Sequence, residues 1–189
     1  MSAVASESPT RRRVSRIAIA VAAILLLFIA NTLLASAVAA YTTTGCKWAN
    51  GPGVTYRILI GSGTNQTQAQ NALINWSAST DVNLSASNSS YFDITAKNDG
   101  DNGYDGYTTW VCLFGVTSSA ESWVNTYNTA SFPALKIQAV FSHEIGHGLG
   151  LNHSTAGNIM YTCPACTYNN YSGRYLPQSD DKAGMNALY

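Results

Sequence analysis

The stretch Ser142-His143-Glu144-Ile145-Gly146-His147-Gly148-Leu149-Gly150-Leu151-Asn152-His153-Ser154 decides how the rest of the chain is read, because it holds all 3 histidines of the protein. His143 and His147 are four positions apart. On a helix they share one face, one turn apart, where two imidazoles can converge on a single metal ion. Glu144 stands one residue round the helix, close to that face but not on it. A carboxylate placed so can reach a metal-bound water without becoming a ligand, which is what a general base needs. Gly148 and Gly150 offer a helix stop, since glycine accepts the left-handed conformation that turns a chain back. The turn brings His153 round as third ligand. Three neutral nitrogen ligands with a fourth position left for water describe a catalytic rather than a structural zinc site.

A bare H-E-x-x-H arises by chance fairly often, whereas H-E-x-x-H-x-x-G-x-x-H has a chance on the order of 10⁻⁵ of appearing in a chain of this length at ordinary residue frequencies. With it the sequence resembles the metzincins, zinc peptidases defined by that long motif and a downstream methionine turn. Met160, in Asn158-Ile159-Met160-Tyr161, follows His153 by seven residues, a spacing suited to that turn. Within the superfamily the chain is most similar to small secreted bacterial matrixin-like proteases, from about Trp48 onward and most specifically from Val140 to Met160. The resemblance implies a zincin-type fold and a zinc-dependent endopeptidase acting on peptides or proteins. His143, His147 and His153 would hold one catalytic Zn2+, Glu144 would serve as general base, and Met160 would pack under the metal. Astacin-like and serralysin-like enzymes carry a metal-proximal tyrosine two residues after the methionine; Thr162 stands there, so that role does not carry over. The alternative is a catalytically inactive or membrane-tethered zinc-binding interaction domain. Such a domain would keep the histidines but have little reason to keep Glu144 in register.

A length of 189 residues allows one domain of ordinary size. With 46% hydrophobic and 11% charged residues and a formal net charge of zero, nothing suggests a nucleic acid or polyanionic partner. Arg11, Arg12, Arg13 and Arg16 precede an apolar run that begins at Ile17 and ends in Ala37-Val38-Ala39-Ala40. Basic region, apolar region and A-x-A site make residues 1–39 a secretory signal peptide. Residues 40–189 are then the catalytic domain, expected to be secreted, monomeric and without stable membrane association after cleavage. An uncleaved anchor is the other reading of the same run. No pro-domain fits between Ala40 and Trp48, and the cysteine-switch motif is absent, so latency by a propeptide is not expected. The sequon Asn152-His153-Ser154 includes a proposed ligand, and a glycan there would crowd the zinc. Cys46, Cys112, Cys163 and Cys166 allow two disulfides in three pairings. A local 163–166 bridge with Cys46 joined to Cys112 is expected.

Alternation in Val54-Thr55-Tyr56-Arg57-Ile58-Leu59-Ile60 predicts a first strand with Val54, Tyr56, Ile58 and Ile60 on one face. Asn65 and Gln68 form a capping-box pattern ahead of a helix that buries Ala69, Ala72, Leu73 and Trp76. Extended segments follow at 91–97, 108–114 and 121–128. The loop Asn98 to Gly106 clusters carboxylates and glycines; Asp99, Asp101 and Asp105 are candidate ligands for a structural Ca2+. It resembles the matrixin loop for structural zinc and calcium, but no histidine remains for a second zinc. Thr109 to Phe114 occupies the place of the edge strand above the cleft, which would take an extended peptide by backbone hydrogen bonds. The active-site helix should start near Ala134, with Ile137, Phe141 and Ile145 on its core side. Residues 161–175 read as an irregular loop, and Ser179, Asp180 and Asp181 as the cap of a last helix packing Met185, Leu188 and Tyr189 inward. The fold class is α+β: a twisted, mostly parallel sheet of about five strands with a long helix, an active-site helix and a C-terminal helix.

Overall fold

The computed structural model describes residues 40–189. The signal peptide assigned to residues 1–39 lies outside the described residues. Six strands and four helices follow in order: β1 (Lys47–Trp48), β2 (Gly53–Ile58), α1 (Thr64–Ser79), β3 (Asn83–Ala86), β4 (Phe92–Lys97), β5 (Gly106–Leu113), β6 (Val116–Asn125), α2 (Ala134–Gly148), α3 (Pro164–Asn170) and α4 (Ser179–Leu188). The sheet runs β1-β6-β4-β2-β3, and β5 pairs with β6. Every pairing is parallel except β5 with β6. The expected α+β class with a mostly parallel sheet is what the chain adopts, with one strand more than expected.

Alternation in β2 works as the sequence implies: Val54 is buried, and Tyr56, Ile58 and Ile60 pack against the core. Helix α1 turns Ala69, Ala72, Leu73 and Trp76 inward, each no more than 1% exposed. Its Trp76 reaches α2, donating its indole N–H to the Ser142 carbonyl at 2.9 Å. A buried indole needs such a partner. It ties the two long helices at the level of the histidines.

Four local expectations are corrected. The Asn65/Gln68 capping box does not form, because the N-cap is Gly63, two residues earlier, with no side-chain cap bond, and α1 begins at Thr64. Strand β6 starts at Val116, well before residue 121, since a short Phe114-Gly115 turn sends β5 directly back. Residues 161–175 are not wholly irregular: Pro164 opens the seven-residue α3, and Cys163 Sγ accepts from the Cys166 N–H at 3.1 Å. Proline suits a first helical position, whose N–H has no partner in any case. Finally, Gln178 caps α4 and forms a capping box with Asp181, so Ser179 is already helical, and Asp180 accepts instead from the Ala40 and Tyr41 N–H groups.

The disulfides are Cys46–Cys112 and Cys163–Cys166, as expected. The first spans 66 residues and joins the segment ahead of β1 to β5; the second spans three. In the loop-closure account, removing the first as a double serine variant should cost about 4 kcal/mol and removing the second only about 2 kcal/mol. Urea unfolding of the two variants against the wild type measures both.

Candidate metal centre

Helix α2 forms because Ala134 to Gly148 follows Pro133 without another proline and buries Ile137, Phe141 and Ile145. Its other face carries His143 and His147, whose Nε2 atoms lie 3.1 Å apart. The helix ends at Gly148, and the chain reverses at Gly150, whose φ of 108° is open to glycine. A Cβ on Gly150 would also collide with the Cys46 carbonyl. Gly148 thus stays helical, and Gly150 makes the turn. The Leu151 N–H then closes the end of the helix on the Gly146 carbonyl at 2.9 Å.

The segment after the turn is fixed from both sides. Asn152 N–H donates to the Thr42 carbonyl at 2.8 Å, the Thr42 hydroxyl donates to the His153 carbonyl at 2.7 Å, and Ser154 N–H donates to the Met160 carbonyl at 2.9 Å. His153 arrives with its ring centroid 5.4 Å from that of His143 and 4.8 Å from that of His147. One nitrogen of each of the three rings lies within 4.8 Å of the others.

A metal fits this trio. Tetrahedral zinc with nitrogens at about 2.0–2.1 Å sets neighbouring nitrogens about 3.3 Å apart, close to the His143–His147 separation. Nδ1 of His143 lies 2.8 Å from the Ile159 carbonyl, and Nδ1 of His147 lies 2.9 Å from the Leu151 carbonyl. A carbonyl can only accept, so these contacts place the proton on Nδ1 and leave the Nε2 lone pairs facing each other. Burial lowers the pKa of all three rings: His143 falls well below 6.5, His147 to about 4, and the more exposed His153 shifts the same way. Neutral imidazole is the form that binds metal.

Glu144 is 5% exposed, and burial pushes its pKa up to about 8, against the opposing pull of its Thr108 hydrogen bond. The Thr108 hydroxyl lies 2.8 Å from both Glu144 Oε2 and the Glu144 carbonyl. The Ser122 hydroxyl donates to that same carbonyl at 2.9 Å. Gly106 closes over the pair, where a Cβ would meet Glu144 Cγ and Val140 Cγ1 at 2.8 Å.

Met160 is 1% exposed and packs against α2, where a Cβ on Gly146 would run into its sulfur. The turn around it is held by Asp181, whose buried carboxylate accepts from Ile159 N–H at 2.8 Å, Met160 N–H at 3.1 Å and Gln178 N–H at 2.8 Å. Thus one residue of α4 bonds the same Ile159 unit whose carbonyl orients His143.

The histidines and Glu144 open on a cleft of about 420 Å³, walled by Tyr104, Asp105, Tyr107 and Trp110 on one side and by Thr162 and Pro164 on the other. Of the calcium candidates, Asp105 lies in this wall, and the Asp99 carboxylate accepts the Trp123 indole N–H. Among the described residues the histidine trio is the only group of three or more metal-capable side chains brought together; Asp99, Asp101 and Asp105 are not gathered. Sequence reading missed Thr108, Ser122 and the inward role of Asp181. No sequence signal marked the first two: that Thr108 and Ser122 are cross-strand partners and both buried emerges only from the strand pairing.

The shifts set a pH dependence for the metal-free protein. Histidines with lowered folded pKa values contribute stability above about 6.5 that is lost as pH falls toward about 4. Glu144, with a raised value, works the other way: its contribution is full below 4.5 and disappears as pH climbs through about 8. The Asp105 and Asp181 carboxyls, also raised by burial, act in the same sense as Glu144. Glu144→Gln should therefore lessen the loss of metal-free Tm between pH 6.5 and 8; calorimetry across pH checks it.

Residues 114–189 match the family model described as matrixin. Human (Homo sapiens) matrix metalloproteinase-20 is 43% identical over 72 residues, 38% of this chain and 13% of that protein. The chain thus aligns with a small part of that curated relative's length.

Proposed function

We propose, from the match of residues 114–189 to the matrixin family model, that the chain is a zinc-dependent endopeptidase. The observation that carries this reading is the histidine trio with a buried carboxylate beside it at the bottom of an open cleft. His143, His147 and His153 would hold the metal through the nitrogens that their carbonyl partners leave free. Zinc, when bound, supplies a Lewis acid for the scissile carbonyl and lowers the pKa of a water toward ~7. Glu144 takes the proton of the attacking water and passes it to the leaving amine. Met160 fills the space under the ligands and does no chemistry.

Strand β5 supports a substrate path. Among the described residues it pairs only with β6, so its outer edge offers unpaired backbone groups to an extended peptide. Tyr107 and Trp110 stand on that strand in the cleft wall. The wall on the other side comes from Thr162 to Pro164, where the 163–166 disulfide and α3 fix its shape.

Residues 1–39 are proposed as the export signal and residues 40–189 as the catalytic domain, acting outside the cell. Two disulfides agree with an oxidising destination. No helix among the described residues is long and apolar enough to cross a membrane. The second reading, a zinc-binding domain without activity, gives no use to a carboxylate buried at this cost beside the ligands.

The test is cleavage of casein by the purified protein, with and without a chelator. Cleavage abolished by the chelator and restored by stoichiometric zinc is the expected result. An inert protein that nonetheless binds one zinc would turn the reading to a binding domain.

A further inference from the structure

We infer that Thr108 is a positioning residue for the general base: its hydroxyl pins Glu144 Oε2 and so aims Oε1 at the place where the attacking water gives up its proton. The inference rests on the protease reading above and deepens it. Thr108 is 7% exposed, on the inward face of β5, and its Oγ1 lies 2.8 Å from Glu144 Oε2. Ser122, 0% exposed on β6, sits 3.0 Å from the same Oγ1 and 2.9 Å from the Glu144 carbonyl.

Counting protons shows what the pair does. There are two hydroxyl protons and two acceptors on Glu144, its carbonyl and its carboxylate. Ser122 serves the carbonyl, which releases the Thr108 proton for Oε2. Every buried polar atom in the group then has a partner. Without the threonine hydroxyl, Oε2 would have no protein donor, and the carboxylate could rotate about its terminal bonds, which are soft torsions.

With its proton on Oε1, a carboxylic acid still presents Oε2 as an acceptor, so the Thr108 hydroxyl can hold Oε2 before and after Oε1 takes a proton. Gly106, two residues before Thr108 on β5, lets the strand come close enough for the bond, since a Cβ there would meet Glu144 Cγ at 2.8 Å.

The experiment compares wild type, Thr108→Val and Thr108→Ser on one fluorogenic peptide, with zinc content, zinc affinity by chelator competition and metal-free Tm measured alongside. Valine keeps the shape and removes the hydroxyl; serine keeps the hydroxyl. Thr108→Val should lose about 10- to 100-fold in kcat, the usual effect of removing an outer orienting partner, with KM and zinc affinity within about twofold. Thr108→Ser should recover most of that loss. A readout independent of turnover is available because Glu7, Glu121 and Glu144 are the only glutamates in the chain. With ¹³C-labelled glutamate carboxyls, the Glu144 resonance, identified by its absence in Glu144→Gln, should shift in Thr108→Val and stay in Thr108→Ser. An active wild type whose Thr108→Val variant keeps kcat and the resonance overturns the positioning role alone. Loss of kcat that tracks lost zinc or unfolding, or that serine fails to restore, overturns it as well. A wild type that binds zinc but cleaves nothing overturns the protease reading, and the positioning role with it.

Discussion

Glu144→Gln should lower kcat on casein by about 10³-fold while zinc content stays at one per chain, within the 10²–10⁴-fold range of positioned acid–base groups. Glutamine has nearly the same shape and can still accept from the Thr108 hydroxyl, which lies 2.8 Å from Oε2. What it cannot do is take a proton. The carboxylate is not among the three metal-capable side chains that converge, so metal affinity should move little. Burial drives Glu144 up to about 8 in the metal-free protein; a bound dication nearby would pull it back down by favouring the charged form. A side chain whose pKa lies between these pulls is poised to gain and lose a proton near neutrality. Parallel turnover and metal analysis decide the matter: equal turnover in the variant would remove Glu144 as the base, and lost zinc would recast it as part of the metal's support.

Asp181→Ala should destabilise the protein by about 3–5 kcal/mol and weaken zinc binding, although Asp181 touches no ligand side chain. Its carboxylate is 1% exposed and takes three backbone N–H groups, those of Ile159, Met160 and Gln178. Alanine would leave all three donors without that partner inside the core, and each such loss costs about 1–3 kcal/mol. The second consequence is geometric. The Ile159 carbonyl holds His143 at Nδ1, so a loosened turn frees one ligand ring to rotate. Asp181→Asn, which keeps an acceptor oxygen but swaps the other for a donor facing N–H groups, should fall between the two. Denaturant unfolding with chelator-competition titration measures both effects; unchanged zinc affinity in a destabilised Asp181→Ala would separate the turn from the metal.

How much of this was legible in the residues follows from where each signal resides. The histidine spacing is a local pattern imposed by helix geometry, so His143, His147 and their helix could be placed from sequence, and Gly150 marked the return. Amphipathic alternation likewise gave β2 and the inward face of α1, because those periods are intrinsic to the backbone. The start of β6 was missed because its first half, Val116 to Ala120, is short of large apolar residues and is held by pairing with β5. Helix α3 was missed for a different reason. Seven residues are too few to nucleate on propensity alone; this helix depends on Pro164, the adjoining disulfide and the bond from the Thr167 hydroxyl to the Asn158 carbonyl at 3.1 Å.

Asp181 shows the limit most clearly. An acidic residue in the first turn of a helix has a ready local explanation, and part of it holds, since Asp181 accepts from Gln178 N–H. Its bonds to Ile159 and Met160, more than 20 residues away, depend on tertiary packing that no window of sequence contains. The same is true of Thr108 and Glu144, 36 residues apart.

The dependence of the Met160 turn on Asp181 also sets an order in time. A ribosome adds His143, Glu144, His147 and His153 before it reaches α4, and the carboxylate that fixes the turn comes last. A nascent chain can thus display every metal-binding side chain and still lack the anchor that holds them in place. Until α4 docks, the turn whose Ile159 carbonyl orients the His143 ring therefore lacks its carboxylate support.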